Sequence, residues 1–177
     1  MKFRETKLPG AFIIELDRHR DERGSFARVW CQKEFDDHGL VSTLAQANTS
    51  SNAKAGTLRG VHYQAAPYQE TKLVRCTRGS LYDVIVDLRP DSVTYRRWTG
   101  VELTVDNDRM LYVPADFAHG FITLEDNTDV NYLMSETYTP GAERGIRWND
   151  PGFSIEWPRP VDVISGKDAS WPDFPGN

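Results

Sequence analysis

Short runs of alternating apolar and polar residues recur along the whole chain, and turn residues separate them. Alternation with a period of two is typical of β-strands that bury one face. The predicted strands are 11–16, 26–30, 58–64, 72–77, 80–88, 98–105, 109–113, 121–124, 129–134 and 153–157. Only residues 32–39 have a helical pattern, with Gly39 as the stop signal. Many short, regularly spaced strands predict an all-β fold, a double-stranded β-helix (jelly roll) with a few short helices.

The length of 177 residues, without a repeat, a low-complexity segment or a linker, predicts a single domain over residues 1–177. The net charge of −5 argues against nucleic acid or an anionic membrane as a partner, although it is compatible with a local basic pocket. No apolar run has the length of a membrane-spanning helix, and the first residues lack the apolar segment of a signal peptide. Two cysteines, Cys31 and Cys76, without a CxxC pair predict reduced thiols and a cytoplasmic location.

His62, Lys72 and Asp83 lie on three successive predicted strands. Alternation places Gly60, His62 and Gln64 on one face of the first of these strands. Lysine is depleted in strands and is rarely buried without a partner. Lys72 is therefore either a charge that protects a sheet edge or a functional amine, and the residue by itself favours neither interpretation.

Further polar segments follow in a distinctive order, namely PADFAHGF (114–121), NY (131–132), RWNDP (147–151) and SGKD (165–168). Together with TLRGVHYQ (57–64) and ETKLV (70–74), they resemble the dTDP-4-dehydrorhamnose 3,5-epimerase family over about residues 21–168. The single motifs are short, but their order and spacing together are specific. The resemblance implies a cupin-type jelly roll and the epimerisation of a nucleotide-activated 4-keto-6-deoxy sugar.

Epimerisation beside a ketone needs a base with a pKa near neutrality, a donor for the enolate oxygen, and an acid on the opposite face of the sugar. The resemblance implies that His62 is the base and that Asp168 orients it. It further implies that Lys72 stabilises the enolate, with Asp83 holding the lysine charge, and that Tyr132 is the acid. Taken alone, Tyr132 would instead be a core aromatic residue and Asp168 a turn residue.

The resemblance also implies which residues bind the substrate. Arg23 and Arg59 are the candidates for the diphosphate, because the planar guanidinium suits phosphate oxygens. Phe26 is a candidate for stacking on the nucleotide base. The other implied substrate-binding residues are Gln46, Asn48, His119, Tyr138 and Lys167. In the family the segment around Arg23 reaches across a subunit interface, which implies a homodimer.

Arg28 departs from the family pattern, which has a glutamate at this position. A glutamate can accept a hydrogen bond from the thymine N3–H group, whereas arginine only donates hydrogen bonds. Cytosine offers acceptors at N3 and O2, so a CDP-linked sugar is an alternative to the dTDP-linked substrate. Arg28 would then be a substrate-binding residue that selects the nucleotide.

Metal-dependent cupins have two histidines one residue apart, whereas this chain has Gln64 two positions after His62. We therefore expect neither a metal nor another cofactor. The alternatives to an epimerase that inverts both C3 and C5 are a C3-only or C5-only epimerase and a sugar-binding cupin without activity. A binding protein, however, has no need for a base, a lysine, a tyrosine and an orienting carboxylate together.

Overall fold

The computed structural model describes residues 1–175, which form two β-sheets and a separate hairpin. In chain order the elements are β1 (Lys2–Glu5), β2 (Phe12–Glu15), β3 (Arg18–Asp21), β4 (Gly24–Ala27), α1 (Gln32–Asp37), β5 (Gln46–Asn52), β6 (Thr57–Gln64), β7 (Lys72–Arg78), β8 (Ser80–Asp87), β9 (Trp98–Thr104), β10 (Arg109–Val113), β11 (Phe117–Thr123), β12 (Thr128–Met134), β13 (Glu143–Gly145), β14 (Val163–Ile164) and α2 (Gly166–Ala169). The predicted all-β architecture with a few short helices is confirmed. None of the helices within residues 1–175 is long and apolar enough to cross a membrane.

The first sheet has the strand order β1-β2-β10-β7-β12-β5, and the second has the order β13-β6-β11-β8-β9 with β14 parallel to β6. Strands β7 and β8 are consecutive along the chain yet lie in different sheets, as in a jelly roll. The inner faces of the sheets meet in a core that contains Val74 and Leu111 from one sheet and Ile85 and Leu103 from the other. Each such fully buried side chain contributes about 1.5–3 kcal/mol to stability.

The outer faces of both sheets are also covered. Phe35 of α1 packs on the first sheet beside Ile14 and Met110. The segment after β13 packs Ile146 and Phe153 on the outside of the second sheet. Both outer faces are therefore covered, and polar side chains lie in the space between the sheets, near one end of β6 and β7.

A bulge in β6 determines which of its side chains face that space. The register of β6 against β11 shifts between the pairs His62–His119 and Arg59–Phe121. At this point Gly60 has a φ of +121°, and a Cβ there would lie 2.5 Å from the Cα of Gly120. Only glycine allows this close approach of two backbones. The bulge brings Arg59 and His62 to the wall of the same cavity, although strict alternation would place them on opposite faces.

Several predicted elements differ from the structure. The predicted strand 26–30 is replaced by Gly24–Ala27, which pairs with Arg18–Asp21 as a hairpin. Residues 153–157 are not a strand, because their alternating apolar side chains pack on the second sheet without a partner strand and Ser154 has a φ of +49°. The strands and helix that the pattern did not predict are β1, β3, β5, β13, β14 and α2. They are polar or very short, so alternation gives no signal for them.

Candidate active site

Two neighbouring cavities of about 280 Å³ and about 290 Å³ lie between the sheets and share His62, Lys72 and Tyr132 on their walls. The first is further lined by Arg59, His119, Phe121, Ser165, Lys167 and Asp168. The second is further lined by Gln46, Asn48, Tyr63, Gln64, Glu70, Met134, Tyr138 and Glu143. The structure therefore brings most of the residues predicted for the site to one place, although they come from distant parts of the sequence.

His62 and Asp168 form a hydrogen-bonded pair at the first cavity, with 2.7 Å between His62 Nε2 and Asp168 Oδ1. The short helix α2 positions the carboxylate, and Ser165 Oγ caps it by accepting from the backbone N–H of Asp168 at 3.0 Å. Burial by itself would raise the pKa of Asp168, but hydrogen bonds from His62 and from the Gly60 N–H outweigh burial and lower it. An ionised carboxylate only accepts hydrogen bonds, so Nε2 donates the proton of this bond, and in the neutral imidazole the lone pair is on Nδ1.

Lys72 is buried and forms an ion pair with Glu70. The expected contact with Asp83 is absent from the ion pairs and hydrogen bonds of residues 1–175, and that expectation was wrong. Lys72 lies in the first sheet, whereas Asp83 lies on β8 of the second sheet, beside Phe121 of β11. Lys72 is a buried and paired amine at a cavity wall, which excludes the alternative of a solvated charge at a sheet edge.

Asp83 instead pairs with His119, with 2.6 Å between Asp83 Oδ1 and His119 Nε2. Both side chains are buried, and Asp83 Oδ2 has no hydrogen-bond partner within residues 1–175. His119 lies directly opposite His62 on the neighbouring strand. The site thus contains two histidine–carboxylate pairs side by side, of which the His62 pair is the more exposed to the cavity.

Tyr132 enters the cavity from β12 on the side of the first sheet. Its register partners are Val74 on β7 and Asn48 on β5, so these three residues share the inner face of that sheet. Burial raises the pKa of the Tyr132 hydroxyl, and a positive charge from Arg59 offsets this only in part. The phenol is therefore neutral at physiological pH and retains a proton that it can donate.

Polar side chains extend the site along the second cavity. Gln46 donates from Nε2 to Asn48 Oδ1 at 3.1 Å and accepts at Oε1 from the backbone N–H of Tyr138 at 2.9 Å. Tyr138 is half-exposed at the mouth of this cavity. Arg59, in the first cavity, donates to Asn52 Oδ1 at 2.7 Å, which fixes its guanidinium at the cavity wall. These residues, which were predicted to bind the substrate, thus line the two cavities.

Arg23, Phe26 and Arg28 do not line either cavity of their own chain. They lie on or next to the β3–β4 hairpin, where Arg23 pairs with Asp21 and 72% of Phe26 is exposed. Arg28 donates to Glu34 at 2.9 Å. A single chain therefore does not bring these three predicted residues to the site.

Two carboxylates at the site were missed by the sequence analysis. Glu70 is the partner of Lys72, and its position two residues before the lysine was an available signal. Glu143 lies on β13 with Oε1 3.5 Å from the free Nδ1 of His62, and it also pairs with Lys167. The segment before Glu143 is rich in turn residues, so its sequence gives no indication of a strand.

The arrangement supports proton chemistry. A histidine bonded to a carboxylate, a buried lysine and a tyrosine surround one space, and such groups can take part in abstraction of a proton beside a carbonyl group. Within residues 1–175, no three histidine, cysteine or acidic side chains are grouped so that they could hold a metal ion.

Comparisons with known proteins identify the family. The family model described as dTDP-4-dehydrorhamnose 3,5-epimerase matches residues 5–175. The dTDP-4-dehydrorhamnose 3,5-epimerase of Sinorhizobium fredii is 42% identical over 175 residues, which cover 98% of this chain and 90% of the relative. The Bacillus anthracis dTDP-4-dehydrorhamnose 3,5-epimerase, solved with TDP and PPi bound, has a TM-score of 0.94 and 40% identity, with coverage of 98% and 99%.

A third similar protein is the dTDP-6-deoxy-D-glucose-3,5-epimerase of Legionella pneumophila, solved in complex with dTDP-4-keto-L-rhamnose. It has a TM-score of 0.90 and 35% identity, and the match covers 96% of this chain and 90% of that one. The similarity to these structures extends over nearly the whole chain. The chain belongs to the dTDP-4-dehydrorhamnose 3,5-epimerase family.

Proposed function

We propose that this protein is an isomerase that epimerises a nucleotide-linked 4-keto-6-deoxy sugar at C3 and C5. The observation that carries the proposal is the convergence of the His62–Asp168 pair, Lys72 and Tyr132 on one space within a fold of this family. The substrate follows from two relatives, one solved with TDP and PPi and the other with dTDP-4-keto-L-rhamnose. We therefore assign dTDP-4-keto-6-deoxyglucose as the first substrate to test.

In the proposed mechanism, the Nδ1 lone pair of His62 removes the proton from the carbon beside the ketone. Asp168 stabilises the imidazolium that forms, because its Oδ1 accepts the hydrogen bond from Nε2, with 2.7 Å between these two atoms. The buried ammonium of Lys72 stabilises the negative oxygen of the enolate. Tyr132 then donates its hydroxyl proton to the opposite face of the carbon, which inverts the centre, and water restores the phenol.

The supporting roles are also proposals. Asp83 binds His119 rather than Lys72. We therefore propose that the Asp83–His119 pair holds β11 in place beside β6, the strand that carries His62. Arg59 and Lys167 would bind the diphosphate, since both are cations on the wall of the first cavity. Gln46, Asn48 and Tyr138, which line the second cavity, would contact the sugar and the nucleotide.

We further propose a homodimer in which the β3–β4 hairpin completes the site of the partner subunit. This proposal is supported by the large exposure of Phe26, which is expected of an aromatic side chain that stacks on a ligand. Arg23 and Arg28 lie on the same hairpin region and would accompany Phe26 to the nucleotide of the partner's substrate. We place the enzyme in the cytoplasm, in keeping with two free cysteines, of which Cys76 is buried.

The test is incorporation of deuterium from D2O into 4-keto-6-deoxy sugars linked to dTDP or CDP, read by carbon position with NMR. The proposal expects deuterium at both C3 and C5 of the dTDP-linked substrate, together with inversion. Label at one carbon alone would identify a single-centre epimerase instead. Binding without exchange in any substrate would identify a sugar-binding protein and refute the enzymatic assignment.

A further inference from the structure

Inversion of two centres creates a proton-handling problem that the proposed residues do not solve by themselves. Each abstraction leaves a proton on His62, while Tyr132 delivers a different proton to the opposite face of the sugar. Before His62 can act on the second carbon of the same bound sugar, the imidazolium must lose its proton. A site closed by its substrate therefore needs a group that removes this proton from Nδ1.

Asp168 is not suited to that task. Its Oδ1 accepts the Nε2–H, its Oδ2 accepts the Gly60 N–H at 3.3 Å, and the side chain is buried. The proton in question is moreover on the other nitrogen of the ring. On a further side of His62, the Trp171 ring packs edge-on with its centroid 6.1 Å from that of the imidazole. This contact restricts the approach of water to the ring from there.

Glu143 has the geometry that the task requires. Its Oε1 lies 3.5 Å from His62 Nδ1, the nitrogen that takes the proton from carbon. Strand β13 fixes this approach, because Gly145 pairs with His62 and Glu143 pairs with Gln64 in an antiparallel register. A Cβ at Gly145 would lie 2.3 Å from the Trp171 ring, so a larger residue there would displace this ring. The carboxylate is thus held beside the base by backbone pairing.

Lys167 connects Glu143 to solvent. Its ammonium pairs with Glu143 Oε2, and this hydrogen bond raises the pKa of Lys167. The lysine side chain is 55% exposed, whereas that of Glu143 is 17% exposed. One oxygen of Glu143 therefore faces the base, and the other faces the edge of the site where water has access. The ion pair with the ammonium holds the carboxylate in this orientation.

We propose that Glu143 carries the proton from His62 to solvent between the two abstractions. This inference rests on the proposed function. The Nδ1–H bond of the imidazolium breaks, a proton joins Glu143 Oε1, and His62 returns to the neutral form with its proton on Nε2. Because a carboxylate is a weaker base than imidazole, Glu143 then passes the proton to water. One proton leaves through Glu143 and one enters through Tyr132 for each centre inverted.

The relay predicts a larger effect on the second inversion than on the first. Single turnovers of dTDP-4-keto-6-deoxyglucose with enzyme in excess separate the two rates, and Glu143→Gln should slow the first inversion much less than the second. The second inversion should slow by about 10- to 100-fold, within what a positioned proton-transfer group contributes. The variant should release singly inverted sugar, which NMR and mass spectrometry distinguish from the doubly inverted product. Glu102→Gln, an exposed carboxylate change on β9, is the matched control and should behave as wild type.

A second variant separates proton transfer from packing. Glu143→Ala opens space beside Nδ1, and added formate should restore the second inversion at least fivefold without accelerating the first. The relay would be overturned if either variant slowed both inversions equally, or if formate did not restore the second inversion. It would also be overturned if the wild-type enzyme inverted only one centre. A wild-type protein that exchanges no proton at all would instead refute the proposed function. The two failures are therefore distinguishable.

Discussion

Replacement of Asp168 by asparagine tests how the base is oriented. The carboxylate accepts two hydrogen bonds, from His62 Nε2 at 2.7 Å and from the Gly60 N–H at 3.3 Å. Asparagine has one oxygen and one amino group in place of two oxygens. It can therefore accept only one of these two bonds, and each orientation of the amide has a different chemical consequence.

If the amide oxygen faces His62, the tautomer of the base is preserved, but the imidazolium loses its charged partner and the amino group faces the Gly60 N–H. If the oxygen faces Gly60, the amino group donates to Nε2, the ring proton moves to Nδ1, and no lone pair faces the sugar. A hydrogen bond to a charged group contributes about 1.5–3 kcal/mol. At about 1.4 kcal/mol per factor of ten, Asp168→Asn should slow proton exchange by about 10- to 150-fold.

The assay is the initial rate of deuterium incorporation from D2O at C3 and C5, measured at saturating substrate. His62→Ala, which removes the base, should cost about 10²–10⁴-fold, at least as much as the asparagine variant. Asp91→Asn, a change at an exposed carboxylate, controls for loss of charge. Wild-type exchange in Asp168→Asn would refute the orienting role. A larger loss in Asp168→Asn than in His62→Ala would mean that the carboxylate itself is the base.

The remaining predictions concern the acid, the cation, acid stability and the nucleotide. Tyr132→Phe should abolish inversion but retain same-face deuterium exchange by NMR, whereas a normal rate of epimerisation would leave Tyr132 only a packing role. The double variant Glu70→Gln/Lys72→Met should lower the exchange rate by about 10²–10³-fold through loss of enolate stabilisation, without leaving an unpaired buried carboxylate. Burial would raise the pKa of Asp87, but hydrogen bonds from neighbouring side chains lower it from 3.8 to about 2. The ionised form therefore stabilises the fold above pH 3.8, and Asp87→Asn should lower the free energy of unfolding by about 2 kcal/mol at pH 7 in urea titrations, a difference that should vanish as the pH falls to 2. Arg28→Glu should shift the ratio of CDP to dTDP affinities towards dTDP by about 1–3 kcal/mol in calorimetry, and an unchanged ratio would show that Arg28 does not contact the base.

The all-β architecture was predictable because strands that bury one face alternate in sequence with a period of two. Strands β7, β8 and β12 were located within a residue of their observed ends, although β8 is buried on both faces. Strand β5 was not predictable, because it is polar throughout and is held by its pairing with β12. Its register nevertheless places Gln46 and Asn48 on the wall of the second cavity.

The partners of the charged residues were harder to predict than their presence. Lys72 and Asp83 are close in sequence, but β7 and β8 belong to different sheets, and their side chains pair with Glu70 and His119 instead. Such pairings depend on strand order, which local periodicity does not encode. Glu143 was missed for the same reason, since only the register of β13 against β6 brings it to the base.

A comparison of the two histidines of the site in D2O, after treatment with a chelator, tests directly whether His62 is the base and whether the reaction needs a metal. The wild-type protein should label C3 and C5 of dTDP-4-keto-6-deoxyglucose at an unchanged rate, because side chains fill every proposed role. His62→Ala should lose nearly all label, whereas His119→Ala should retain more exchange than His62→Ala. Label in His62→Ala at the wild-type rate, or wild-type activity that disappears on chelation and returns with one divalent metal, would contradict the account.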